Sequence, residues 1–132
     1  MRQRIGLVTV VVDDYDEAIS YFTQKLGFAL LQDTPLSAGK RWVVVAPQGA
    51  CGSGLLLAQA TDERQRQAVG AQAGARVFLF LYTDDFRRDH AAFRARGVVF
   101  VEKPRLEPYG TVAVFTDLYG NRWDLIEPAA DR

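Results

Sequence analysis

The chain has 132 residues, 48% of them apolar, which is enough for about one domain with a sizeable core. Sixteen Lys and Arg balance sixteen Asp and Glu, and residues 1–66 carry seven of each sign, so no basic stripe is on offer to a nucleic acid or a membrane surface. No apolar run approaches the roughly 18 residues that cross a bilayer, and the first residues alternate into a strand and not a signal peptide. The single cysteine, Cys51, has no internal partner, and the expected location is the cytoplasm.

Ile5 to Val12 (IGLVTVVV) is β-branched and apolar and reads as a strand buried on both faces. Asp14 is placed to N-cap a helix from Tyr15 to Leu26, whose apolar stripe is Tyr15, Ile19, Phe22 and Leu26, and Gly27 ends it. Strands are expected at Phe28 to Gln32, Lys40 to Ala46 and Gly54 to Ala58, the last two joined by a glycine-rich loop from Pro47 to Ser53. The polar segment Thr61 to Val69 reads as a short surface helix, and a Gly/Ala stretch continues to Ala75, so residues 61–75 are expected to link two halves.

The opening pattern then returns. Arg76 to Thr83 (RVFLFLYT) is a strand, Asp84-Asp85-Phe86 echoes Asp13-Asp14-Tyr15, and a helix to Arg96 stops at Gly97. Strands at Val98 to Glu102, Tyr109 to Thr116 and Arg122 to Glu127 complete the set, with Gly120-Asn121 marking a tight hairpin that has one of the two at positive φ. The chain is thus an α+β fold built from a weak internal duplication, one βαβββ module at about 4–60 and another at about 76–128. One helix covers only one face of each four-stranded sheet, so the other faces are expected to form cupped, half-open barrel sheets with the helices outside and a small-molecule cavity within.

Within the last strand, alternation puts Arg122, Asp124 and Ile126 on one face and Trp123, Leu125 and Glu127 on the other. A carboxylate in the middle of an otherwise apolar strand is costly unless it is paired, wet or used. An ion pair with Arg122 or Arg41 is the plain explanation of Asp124; the alternatives are a polar anchor for a ligand or a general base.

Three stretches, VVVDDYDEAISYFTQKLGF (Val10 to Phe28), TDDFRRDHAAFRARGVVF (Thr83 to Phe100) and PYGTVAVFTDLYGNRWDLIEP (Pro108 to Pro128), resemble the vicinal oxygen chelate superfamily of glyoxalase I, extradiol dioxygenases and bleomycin- and fosfomycin-resistance proteins. The resemblance covers nearly the whole chain and implies paired βαβββ modules, two-fold dimers and, in many members, a metal held by four strand residues. Those positions fall on Leu7, about Leu56, Phe78 and Asp124, so three of the four carry no donor atom and no metal or other cofactor is expected. The expected pocket comprises Leu7, Thr9, Arg41, Leu56, Phe78, Phe80, Tyr82, Tyr109, Arg122 and Asp124, with Asp124 the one catalytic candidate. His90, between Phe86 and Phe93 at helical spacing, reads as a packing residue, and Cys51, with no basic neighbour, as an incidental thiol. The expected function is metal-free binding of a small, partly apolar organic molecule by a homodimer. The alternatives are a metal-dependent glyoxalase-like lyase or isomerase, an extradiol dioxygenase, or a drug-sequestering resistance protein, which the neutral charge balance disfavours.

Overall fold

The computed structural model describes residues 1–49 and 52–130, so the reading of Cys51 lies outside the described residues. The chain divides into two compact units, Met1–Val69 and Gly70–Arg132, and the division falls inside the stretch expected as a linker. Both units combine a mixed sheet with few helices, an α+β architecture in which neither sheet closes on itself.

In the first unit, β1 (Leu7–Val12) leads to α1 (Tyr15–Ser20), where the Asp14 carboxylate accepts the Glu17 N–H at 2.8 Å and caps the first turn. The helix expected to run to Leu26 changes at Tyr21 into a π-helical turn, Tyr21–Lys25, closed by Leu26 N–H donating to the Tyr21 carbonyl at 3.3 Å. The Thr23 hydroxyl donates to the Ile19 carbonyl at 2.7 Å, and this local bond competes with the regular backbone ladder there. Gly27, at φ 72°, then turns the chain into β2 (Ala29–Ser37), β3 (Lys40–Ala46) and β4 (Gly54–Gln59). The sheet order is β1-β4-β3-β2, with β1 and β4 parallel and the other pairs antiparallel.

Alternation gives this sheet two unlike faces. Val10, Val12, Val43, Val45 and Leu57 are at most 1% exposed and form one core with Ala18 and Phe22, α1 packing on β3 and β4. Each such side chain contributes about 1.5–3 kcal/mol by leaving water. The other face carries Leu7, Thr9, Trp42, Leu56 and Ala58, none fully buried, so β1 is not buried on both faces as its composition suggested. β2 is longer than its apolar start indicated and is exposed along most of its length, with Pro35 accommodated on this edge strand. The polar segment after β4 forms α2 (Glu63–Ala68), capped by Asp62.

The second unit opens with β5 (Gln72–Ala75), a strand inside the stretch expected to be a linker, and continues through β6 (Val77–Tyr82) and α3 (Phe86–Ala95). The Asp85 carboxylate caps α3 by accepting the Arg88 N–H at 3.0 Å, and Gly97 at φ 92° follows its end, so the same punctuation serves both helices. The expected strand from Val98 to Glu102 shrinks to β7 (Val99–Phe100), and β8 (Arg105–Glu107), not foreseen, precedes β9 (Gly110–Thr116) and β10 (Arg122–Pro128). Pro104 explains the interruption, having no N–H to give to a ladder. The sheet order is β6-β10-β9-β7 with β8 also on β9, and only β6 and β10 run parallel.

On the helix side of this sheet Phe93, Phe100, Phe115 and Trp123 form a connected aromatic cluster, with ring centroids 5.4–5.7 Å apart for the pairs that Phe115 makes. His90 lies between Phe86 and Phe100, at 5.2 and 4.4 Å, which places it at the edge of the helix–sheet contact. The β9–β10 hairpin is held by Asp117. One carboxylate oxygen accepts the N–H groups of Tyr119, Gly120 and Asn121, and the other accepts Asn121 Nδ2 and Trp123 Nε1, all at 3.0–3.1 Å. Gly120, at φ 100°, supplies the expected positive φ.

Candidate functional site

On the sheet of the second unit, the face turned away from α3 can be written as two rows across the strands. One runs Phe80, Asp124, Val114 and the other Tyr82, Ile126, Val112, Arg105, since residues paired in register project to the same side. Val112, Val114, Ile126 and Asp124 are buried at its middle, Asp124 being only 7% exposed, while Phe80 and Tyr82 are 57% and 64% exposed along β6. Strand alternation adds Phe78 to the same face. Phe78, Phe80, Tyr82 and Asp124 are therefore together, as their spacing indicated.

Asp124 Oδ1 is buried and has no hydrogen-bond partner, the one such side-chain atom among the described residues. Neither expected ion pair forms. Arg41 spends its guanidinium on Asp33 at 2.8 Å and Asp16 at 3.0 Å, with its charge also over the Tyr15 ring, and Arg122 sits at the exposed start of β10. The two Arg41 carboxylates had been available in the sequence, but Asp33 lies on the part of β2 beyond Gln32 that composition did not reveal.

The charges that Asp124 does feel come from a segment sequence reading passed over. Arg105 pairs with Glu102 at 3.0 Å and with Glu107, and its guanidinium is further engaged by Tyr109, which holds it firmly protonated. Glu102 takes the place of a strand carbonyl: its carboxylate accepts the Val114 N–H at 3.0 Å where the ladder is interrupted before Pro104. Burial pushes the Asp124 carboxyl above the usual carboxylate range; the Arg105 charge pulls it down and the Glu102 charge pushes it up again. The only available signal was the alternation of charge in Glu102-Lys103-Pro104-Arg105-Leu106-Glu107.

In the first unit, Thr9, Arg41 and Leu56 line a cavity of about 420 Å³ together with Tyr15, Trp42, Gln59 and Gln65. Arg41 serves it as a wall, since its charge is already matched. Leu7 lies on the same side of β1 as Thr9. Tyr109, at the start of β9, is 54% exposed.

A divalent metal does not fit this donor set. Leu7, Leu56 and Phe78 have no nitrogen or oxygen to offer, and among the described residues no group of three or more His, Cys, Asp or Glu side chains is placed to hold an ion. One carboxylate does not make a metal centre.

Residues 4–125 match the model of the Glyoxalase/Bleomycin resistance protein/Dioxygenase superfamily, and the chain belongs to that family. An uncharacterized protein of Shewanella frigidimarina (strain NCIMB 400) is 52% identical, over 96% of this chain and 95% of its own. Among solved structures, UcmS2 superposes with a TM-score of 0.82 at 31% identity, covering 96% of this chain and 98% of that one. TnmS3, an antibiotic binding protein from Streptomyces sp. CB03234, gives 0.77 at 32% identity, covering 97% and 98%.

Proposed function

We propose that this protein is a metal-free binder of a small, partly apolar organic molecule, with Asp124 as the polar anchor. The observation that carries this reading is the buried Asp124 Oδ1 left without a partner in a sheet face whose middle is Val112, Val114 and Ile126 and whose β6 side carries exposed aromatic rings. An orphaned buried acceptor costs stability in the free protein, and a ligand donor would supply what it lacks. Sequestration of an antibiotic-like compound is consistent with TnmS3, which is an antibiotic binding protein and 32% identical. The protein acts in the cytoplasm as a homodimer, so light scattering at micromolar concentration should give about twice the 14.7 kDa of one chain.

A second reading has one observation in its favour. A carboxyl held above its ordinary range by burial is what a general base requires, so a lyase- or isomerase-type proton transfer is the alternative. Asp124→Asn separates the two, because it keeps the shape and removes the charge. An anchor loses binding; a base keeps binding and loses turnover. The experiment is extraction of the purified protein followed by mass spectrometry. A small molecule that accompanies the wild type near one per chain and is lost from Asp124→Asn is the expected result. Full retention by the variant, together with a large fall in its stability, would show that Asp124 is structural and overturn the proposal.

A further inference from the structure

Resting on that binding reading, we infer that the ligand presents an organic cation, a protonated amine or amidinium on an apolar body, to Asp124. The overall charge balance of the chain conceals a local imbalance. Asp124 and Glu102 share one guanidinium, Arg105, and that guanidinium is already engaged by Tyr109 and by both Glu102 and Glu107. Arg105 is thus matched by its own glutamates, and Asp124 has no ion-pair partner among the described residues, which leaves a surplus of negative charge at the one buried acceptor that has no donor.

Each class of ligand group can be weighed against this arrangement. An anion would meet an unmatched carboxylate of the same sign, next to a guanidinium whose charge is already matched by Glu102 and Glu107. A neutral carbonyl would need a donor, and Asp124 offers one only while protonated. A neutral hydroxyl satisfies Oδ1 but leaves the surplus charge in place. A cationic N–H satisfies Oδ1 with a charge-assisted bond and offsets the surplus as well. Phe80, level with Asp124 on the adjacent strand, and Tyr82 beyond it offer exposed ring faces, which suit both a cation and a flat apolar body.

The test uses three probes with one skeleton, 1-naphthylmethylammonium, 1-naphthylmethanol and 1-naphthoate, titrated by fluorescence into the full-length protein at neutral pH. The ammonium should bind about tenfold or more tighter than the alcohol, and the carboxylate weakest. The preference should disappear in Asp124→Asn. It should shrink in Glu102→Gln, whose amide oxygen can still accept the Val114 N–H, with affinity for the alcohol unchanged. A merely structural role for either acid would move all three affinities together. Equal or tighter binding of the alcohol or carboxylate, or a preference that survives in both variants, overturns the cation inference and leaves the binding reading standing. Failure of all three probes to bind, up to their solubility limits, overturns both.

Discussion

Replacing Asp124 should make the unliganded protein more stable, and increasingly so as the pH rises. In the folded chain its carboxylate is 7% exposed, one oxygen has no partner, and its neighbours in register are Val114 and Phe80. A buried polar group left unsatisfied costs about 1–3 kcal/mol, and replacing it with an apolar group of similar shape removes that cost. Asp124→Leu should therefore gain about 1–3 kcal/mol at pH 8, and Asp124→Asn a smaller part of it. For a chain of this size that corresponds to a rise of roughly 3–10 °C in Tm.

The pH dependence fixes the cause. Well below 3.8, the ordinary value for the group, Asp124 is neutral in both the folded and the unfolded chain. As the pH rises the unfolded chain ionises first while the folded chain keeps its proton, so the stability contributed by the neutral buried acid is lost progressively until the raised folded value is passed. The variant has no such loss at this position, so the gap between it and the wild type should widen from about pH 4 upward and then level off. Urea unfolding of both proteins across pH 4–8 measures the gap. A variant less stable than the wild type at pH 8, or a gap independent of pH, would refute the argument that Asp124 is an unmatched buried acid.

Three other outcomes test the frame around it. Asp117→Ala removes the acceptor of five hydrogen bonds, two of them from the side chains of Asn121 and Trp123, and should cost about 3–5 kcal/mol in urea unfolding. Burial, with a lesser contribution from Arg94, lowers the affinity of His90 for its proton, so the stability this neutral histidine contributes is present above 6.5 and lost as the pH falls through its lower folded value; His90→Phe should flatten that limb of the curve. Gly70 is at φ +75° with an added Cβ only 2.1 Å from the Tyr119 carbonyl oxygen, so Gly70→Ala should lower stability by about 1–3 kcal/mol, read as an earlier thermal midpoint.

The fold was legible because its punctuation is chemical. Asp14 and Asp85 cap their helices with side-chain oxygens, and Gly27 and Gly97 leave them at positive φ, so the duplication could be read from four residues. Asp124 was legible for the opposite reason, as a residue that breaks the apolar rule of its strand. Its surroundings were not. Strand periodicity fails between Val101 and Pro104, where a Glu102 side chain replaces a backbone acceptor, and no pattern of period two marks a side chain doing the work of a carbonyl. The Arg41 ion pair weighed for Asp124 gives way to local partners. Arg41 finds Asp33 across the adjacent strand, and that strand continues past Pro35 through residues whose composition resembles a loop.

An acid persists at Asp124 although the other three positions that the family resemblance marks for metal ligands carry Leu7, Leu56 and Phe78. Leu7, Leu56 and Phe78 bring no donor atom that would help match the carboxylate, so a purely structural protein would gain by an apolar residue at the fourth position too. Val112, Val114 and Ile126 show that the surrounding face is built to accept one. Keeping the acid imposes a cost in the free state, with Glu102 adding to it. Such a cost is typical of a site whose partner arrives from outside the chain. The stability gained by Asp124→Leu and the affinity lost by Asp124→Asn are therefore two measurements of one arrangement, and the binding reading requires both.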